Sequence, residues 1–233
     1  MTRIVVLTGA GISAESGLGT FRDEGGLWTK YDLNEVATPE GFARNPVLVQ
    51  EFYNARRANC RGAAPNAAHE ALARLEAAAG VRLTLVTQNV DDLHERAGAR
   101  DVIHMHGALN RALCGACGHR WDAPEVMSVD DPCPACATAA TRPDVVWFGE
   151  MPYEMELIYD RLLMADLFVA IGTSGIVYPA AGFVSEARAA GTPTLELNLE
   201  PSDTYGLFDE GRYGPASEIV PLWVGEVLTR LRG

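Results

Sequence analysis

The run Ile4-Val5-Val6-Leu7-Thr8 passes straight into Gly9-Ala10-Gly11-Ile12-Ser13-Ala14-Glu15-Ser16-Gly17, and this junction permits few folds. A short β-branched run that ends in glycines and continues with Ser, Ala and Glu predicts a buried parallel strand, a tight turn and a helix start. Gly9 and Gly11 let a ligand approach the backbone, and the free N–H groups and positive dipole end of the helix favour a pyrophosphate. G-A-G-x-S lacks the third glycine of the usual dinucleotide fingerprint, so these residues alone leave a plain strand-to-helix connection open. The next residues, Leu18-Gly19-Thr20-Phe21-Arg22-Asp23, return an aromatic ring and an arginine to the same turn, and Gly25-Gly26-Leu27-Trp28 closes the flap. A cationic, aromatic flap beside a phosphate seat predicts a nucleotide that is reacted upon.

Strand and helix signals alternate along the rest of the chain, which makes the fold class α/β. Strands are predicted over 81–86, 101–105, 167–171, 194–197 and 219–221, with an apolar extended run over 142–150. Pro143 confines that run to a sheet edge, where it could accept a peptide by strand addition. Helices are predicted from Pro39, over 46–59, from the Pro65-Asn66-Ala67-Ala68-His69 start to Gly80, and over 93–97, 180–190 and 223–231. On the 46–59 helix, Val49, Phe52, Tyr53 and the Arg56 stem share spacing, so Tyr53 and Arg56 lie on one face.

Ligands of open parallel sheets sit beyond the carboxyl ends of the strands. The polar residues there, Gln88, Asn89 and Asp91, are therefore site candidates, whereas Asp92 is expected to cap the helix that follows. Gly172-Thr173-Ser174 and Asn198-Leu199-Glu200 are polar or glycine-rich strand ends of the same kind. His106, followed by Gly107, lies at another strand end, and its ordinary pKa near 6.5 suits a general base. His104 alternates with it and should face the other way. His69, at the start of its helix, is expected to be structural.

Cys114-Gly115-Ala116-Cys117 and Cys133-Pro134-Ala135-Cys136 stand fifteen residues apart. Four thiolates at this spacing predict a closed tetrahedral zinc site that holds a ribbon together and takes no part in chemistry. Cys60 is the remaining thiol and is expected to pack in its helix.

The chain has 233 residues, 48% of them apolar, enough for a core of its own. A net charge of −12 argues against nucleic acid or an anionic membrane surface as partner and leaves basic peptides open. With no leader-like start and no apolar run of membrane-spanning length, a cytoplasmic protein is expected.

Taken together, G-A-G-I-S-A-E-S-G at 9–17, T-F-R at 20–22, Q-N-V-D at 88–91, H-G at 106–107, the four cysteines, V-V-W-F-G-E at 145–150, G-T-S at 172–174 and N-L-E at 198–200 resemble the sirtuins. The chain is similar to the bacterial type of this family of NAD-dependent protein-lysine deacylases. The resemblance implies a Rossmann-like domain over 1–30, 66–110 and 143–233. It also implies a small domain made of a helical module, 31–65, and a zinc ribbon, 111–142, with NAD and an acyl-lysine peptide meeting between the two domains. Gly9, Ala10, Gly11, Glu15, Gly172, Thr173, Ser174, Asn198 and Glu200 would line the pyrophosphate and adenosine half of NAD, with Ala216 near the adenine. Phe21 and Arg22 would cover the nicotinamide ribose, Asp91 would hold the carboxamide, and Gln88 and Asn89 would order the ribose and nearby water. Val146, Phe148 and Gly149 would take the peptide.

In the mechanism that the resemblance implies, the acyl oxygen attacks the ribose carbon that bears nicotinamide. His106 then acts as base on a ribose hydroxyl, which takes over the acyl group. Tyr53 and Arg56 resemble the Y-x-x-R of the subclass that removes succinyl and malonyl groups, and Ala37 matches its small pocket residue. A monomer with acylated protein lysines as partners is expected. An ADP-ribosyl transferase or NAD-binding sensor using the same pocket is the alternative, and a zinc-ribbon interaction module is a third, against which intact His106, Asn89 and Asp91 argue.

Overall fold

A computed structural model describes residues 1–19 and 31–231. Phe21, Arg22 and the rest of the flap predicted beyond Gly19 lie outside the described residues. In chain order the first elements are β1 (Thr2–Thr8), α1 (Gly11–Ala14), α2 (Leu33–Val36), α3 (Pro39–Arg44), α4 (Pro46–Gly62), α5 (Ala67–Glu76) and β2 (Val81–Thr87). Then come α6 (Leu93–Arg96), β3 (Val102–His104), β4 (Gly107–Cys114), β5 (Arg120–Asp122) and β6 (Thr141–Val145). The chain closes with α7 (Met155–Leu163), β7 (Leu167–Ile171), α8 (Phe183–Ala189), β8 (Thr194–Asn198), β9 (Glu210–Tyr213) and α9 (Ala216–Arg230).

Six strands form one parallel sheet in the order β3-β2-β1-β7-β8-β9. Both faces are covered, which is why β1 reads as an unbroken apolar run. Ile4 and Val6 enter a core with Leu72 and Leu75 of α5 and with Val220, Trp223 and Val224 of α9. Val5 and Leu7 enter the opposite core, with Ile158 and Leu162 of α7 and with Phe183 and Val184 of α8. The strand order reverses between β1 and β7, and this opens a crevice at their carboxyl ends.

A second, antiparallel sheet has the order β5-β4-β6. Pro143 lies in β6 opposite Ala112, on an edge strand as its missing N–H requires. Helices α2 to α4 share a third core with this sheet: Val36, Val49, Phe52 and Tyr53 pack with Leu109, Val145 and Trp147. Thr38 and Asn45 cap α3 and α4 through their side chains, each followed by proline.

Several elements differ from the sequence expectation. Residues 219–221 are helical, inside α9, with Pro221 in the helix interior. The backbone N–H and hydroxyl of Ser217 donate to Glu15, which secures the helix start, and the Val220, Trp223 and Val224 face is buried against α5, so packing outweighs one missing helical bond. Asp92 makes no side-chain cap on α6, whereas Asp91 accepts from the Leu93 N–H at 3.1 Å. The helix expected over 180–190 opens as a tight turn at Ala180–Gly182 before α8 begins. Strands β4, β5 and β9 and helix α7 were not predicted.

Candidate active site

The crevice floor is backbone. The Gly9 N–H donates to the Ile171 carbonyl, and the Gly11 N–H to the Gly172 carbonyl, both at 2.9 Å. A Cβ on Gly9 would fall 2.7 Å from the Gly172 oxygen, and one on Gly11 2.7 Å from the Gly172 Cα. Gly172 itself has φ +62°, and a Cβ there would fall 2.5 Å from the Ile12 nitrogen. These glycines are thus needed first for contact between the two strand-end loops, before any ligand arrives. Helix α1 beyond them is a single turn of four residues with no side-chain cap.

At one end of the crevice the Asn198 Nδ2 donates to the Thr173 carbonyl at 2.8 Å, and its Oδ1 accepts from the Leu199 N–H at 3.0 Å. Glu15 uses both carboxylate oxygens on Ser217, at 2.8 and 2.7 Å, and so holds the turn that carries Ala216. Ser174 is half-buried and Glu200 exposed at the same end.

At the other end Ser13 is a hub. Its hydroxyl donates to Asp91 Oδ2 at 3.2 Å and accepts from Asn89 Nδ2 at 3.2 Å, while Asn89 also donates to the Gly9 carbonyl at 3.1 Å. Both side-chain amide hydrogens of Asn89 are therefore engaged, and among the described residues its Oδ1 takes no hydrogen bond. Burial pushes the Asp91 pKa up, against hydrogen bonds from Leu93 and Ser13.

Two histidines lie behind this hub. His69 Nδ1 accepts from the Asn66 N–H, which leaves the proton on Nε2, 3.4 Å from the Ser13 hydroxyl. His94 Nε2 bonds Thr8 Oγ1 at 3.0 Å, and Thr8 in turn donates to Thr87 at 2.9 Å. The two rings pack edge to face at 4.9 Å. Burial lowers the pKa of His69 to about 4; burial, with the neighbouring His69, lowers that of His94 to about 3.

In the unfolded chain both histidines titrate near 6.5. The unfolded state therefore binds more protons below that pH, and the stability these residues contribute above 6.5 is lost as pH falls towards their folded values. His104, whose pKa is raised, works in the opposite sense and trims the effect. Urea unfolding should show stability lower by roughly 2–4 kcal/mol at pH 5 than at pH 7, and His94→Gln should flatten that dependence.

His104 and His106 do not face opposite ways as expected: strand residues two apart share a face, β3 ends at His104, and both rings reach the segment that follows β2. His106 Nδ1 lies 3.1 Å from the Gln88 carbonyl, and His104 Nδ1 lies 3.3 Å from the Asn89 carbonyl, with Nε2 2.6 Å from Glu95. A carbonyl only accepts, so His106 carries its proton on Nδ1 and keeps the Nε2 lone pair. Burial pushes its pKa below the ordinary value. For His104 burial acts downward as well, but the hydrogen bond and charge of Glu95 prevail and raise it. Gln88 borders a small cavity with Thr173, Gly175 and Thr204.

The segment after β6 is tied to both units. The Val146 N–H donates to the His106 carbonyl and the Phe148 N–H to the Ala37 carbonyl, each at 2.9 Å, while the Trp147 N–H donates to Glu150 at 2.8 Å. With these three N–H groups engaged, strand addition here would rest on the carbonyls. Gly149 follows with φ +90°. On α4, Tyr53 is buried and Arg56 half-buried, with the guanidinium carbon 6.0 Å from the Tyr53 ring centroid. Burial lowers the Arg56 pKa, and Tyr53 and Asp91 oppose that, so Arg56 lies within electrostatic reach of the Asp91 cluster.

The four cysteine sulfurs lie within 4.8 Å of one another, with Cys114 to Cys136 at 3.7 Å and Cys117 to Cys133 at 3.8 Å. Tetrahedral Zn–S bonds of about 2.3 Å put sulfurs about 3.8 Å apart, so the set fits a structural zinc. Each pair comes from a knuckle with a left-handed residue four positions after its first cysteine, Gly118 at φ +75° and Ala137 at φ +59°.

The Sir2 family description matches residues 9–179. A protein of Caulobacter vibrioides named NAD-dependent protein deacylase is 63% identical over 233 residues, 98% of each chain. This chain belongs to the Sir2 family. Among solved structures, a Sir2 homolog–NAD complex is 38% identical with TM-score 0.88, covering 98% of this chain and 90% of that one. A Sir2 variant with a deacetylated p53 peptide and 3′-O-acetyl ADP ribose is 28% identical with TM-score 0.79, covering 97% and 93%.

In this Sir2 chain the donor set fits NAD: a backbone-lined crevice at the β1/β7 reversal, an amide carbonyl and a buried carboxylate at one end, and the Asn198 and Ser217 turns at the other. Sequence reasoning missed Ser13 and His94 as members of the site. In sequence Ser13 reads only as part of the helix start, and His94 falls in a short helix with no periodic signal. Among the described residues no helix is long and apolar enough to cross a membrane.

Proposed function

We propose that this protein removes acetyl, succinyl and malonyl groups from protein lysines with NAD as co-substrate, giving nicotinamide, free lysine and O-acyl-ADP-ribose. The observation that carries this is His106, with Nδ1 fixed on the Gln88 carbonyl and Nε2 left as a base, between the Asn89–Asp91–Ser13 cluster and the pinned 146–148 segment. The names and ligands of the Sir2 relatives support the same reading.

Bound NAD supplies an electrophilic ribose carbon, from which nicotinamide departs, and the hydroxyl that receives the acyl group. Asp91 holds the carboxamide end, and Asn89 Oδ1 orients ribose and water. Gly9, Ala10, Gly11, Thr173, Ser174, Asn198, Glu200 and Ala216 seat the other half. His106 Nε2 takes the hydroxyl proton; its lowered pKa keeps it neutral at physiological pH. Gln88 sets the tautomer through its carbonyl. Val146, Phe148 and Gly149 carry the peptide, and the cleft keeps bulk water from the reacting groups. The net charge of −12 supports basic, lysine-bearing partners over nucleic acid, and a cytoplasmic monomer is the simplest setting.

The test is mass spectrometry of acetyl-, malonyl- and succinyl-lysine peptides incubated with and without NAD. Acyl-ADP-ribose formed together with free lysine supports the proposal; ADP-ribosylated protein without deacylation supports a transferase. Arg56 with Tyr53 can grip the distal carboxylate of a succinyl group, whereas an acetyl group offers no such handle. Arg56→Met should therefore lower desuccinylation about ten- to a hundredfold, mainly through KM, from the roughly 1.5–3 kcal/mol of a charge-assisted contact. Deacetylation should stay within a few-fold. Equal loss of both activities would mean that Arg56 supports the fold.

A further inference from the structure

The Trp147 indole Nε1 lies 3.0 Å from the Tyr53 hydroxyl, and both residues are buried, at 2% and 3% exposure. Indole N–H is a donor only, so the Tyr53 oxygen must accept on that side and its own proton must point elsewhere. Among the described residues no acceptor lies within hydrogen-bond reach of that proton. A buried hydroxyl with an unused donor calls for an acceptor that the described residues do not supply, and an acyl carboxylate is one.

The indole is itself held on several sides. The Arg142 guanidinium carbon stands 3.4 Å from the Trp147 ring centroid, and Arg142 grips Glu150 with two hydrogen bonds of 2.6 and 2.9 Å. The Phe42 ring packs at 5.1 Å, and the Trp147 backbone N–H is tied to Glu150. A cation over the indole face also draws density from the ring and strengthens its N–H as a donor. Glu150, Arg142, Trp147 and Tyr53 thus form a chain that ends on a phenolic proton beside Arg56.

We infer that Trp147 is a specificity-positioning residue, which fixes the Tyr53 hydroxyl as an acceptor and so directs its proton at the distal carboxylate of a succinylated or malonylated lysine. This rests on the proposed carboxylate grip of Tyr53 and Arg56. Acetyl-lysine has no group for that proton, so loss of the indole N–H changes the preference between substrates.

The test uses the zinc-loaded full chain and compares kcat and KM for succinyl- and acetyl-lysine peptides in wild type, Trp147→Phe, Tyr53→Phe and the double variant. Trp147→Phe should lower the succinyl-to-acetyl ratio of kcat/KM about two- to tenfold, the worth of one neutral hydrogen bond, chiefly in KM for the succinyl peptide. In the Tyr53→Phe background the same change should have no further effect on the ratio. Equal loss on both peptides, or effects that multiply in the double variant, would overturn the inference. If Trp147→Phe fails to fold, Arg142→Met removes the cation over the indole and should shift the ratio in the same direction; an unshifted ratio counts against the inference. Arg56→Met separates the two levels: if it spares desuccinylation, the carboxylate grip itself fails, and if it is selective while Trp147→Phe is not, only the role of Trp147 fails.

Discussion

His106→Ala should lower NAD-dependent deacylation about 10²- to 10⁴-fold, the usual contribution of a positioned general base. Among the described residues the side chain has one hydrogen-bond partner, the Gln88 carbonyl at 3.1 Å, and its removal leaves no charge unpaired there. The local fold depends instead on the backbone: the His106 carbonyl takes the Val146 N–H, and Gly107 supplies φ +78° where a Cβ would fall 2.1 Å from the Asp144 carbonyl oxygen. The variant should therefore keep its melting temperature and still bind NAD. His106→Asn can restore a donor to Gln88 but offers no base, and it should be as inactive as the alanine variant. In the wild type the acid limb of kcat/KM should lie below pH 6.5, since the base must be neutral and burial lowers its pKa. Near-normal turnover in either variant would remove His106 from the mechanism.

Loss of the metal should have the largest effect on the fold. Structural zinc contributes about 10–16 kcal/mol in small domains, which matches or exceeds the 5–15 kcal/mol that holds most proteins folded. The purified protein should hold about one zinc per chain. In Cys133→Ser the zinc content and the amide-exchange protection of β4 and α4 should fall together. The link to α4 is direct: Gln50 donates to the Thr141 carbonyl at 2.9 Å, and Asn54 exchanges two hydrogen bonds of 2.9 Å with the Met127 backbone. Since α4 also carries Tyr53 and Arg56, activity should be lost with the metal although zinc touches no reacting atom. Unchanged metal content and stability in Cys133→Ser would refute this.

The parts that the sequence determined by itself are those whose chemistry is local. The cysteine spacing defines a tetrahedral donor set whatever surrounds it, and the sulfurs meet within 4.8 Å. The β1 run and its glycines specify a buried strand and a turn that a Cβ would block. The Q-N-V-D run after β2 reads as a polar strand end, and its Gln88 and Asn89 carbonyls meet the His106 and His104 rings there.

Tertiary structure decided what rests on distant partners. Residues 219–221 have the composition of a strand, yet they are helical because Glu15, 202 residues before Ser217, secures the start of α9 and α5 buries its face. Strand β9, Glu210-Gly211-Arg212-Tyr213, carries no apolar alternation; it exists through its ladder with β8 and the Tyr213 hydroxyl on buried Glu196 at 2.9 Å. The choice of Asp91 over Asp92 on α6 belongs here too, since Asp92 turns instead to Cys60, 3.6 Å away, and Arg96. Ser13 becomes the hub of the site only when β1, β2 and α5 bring Asn89, Asp91 and His69 around it. No pattern within a short window could reveal it, because a hydroxyl acquires its role from the donors and acceptors that the fold places within 3.5 Å of it.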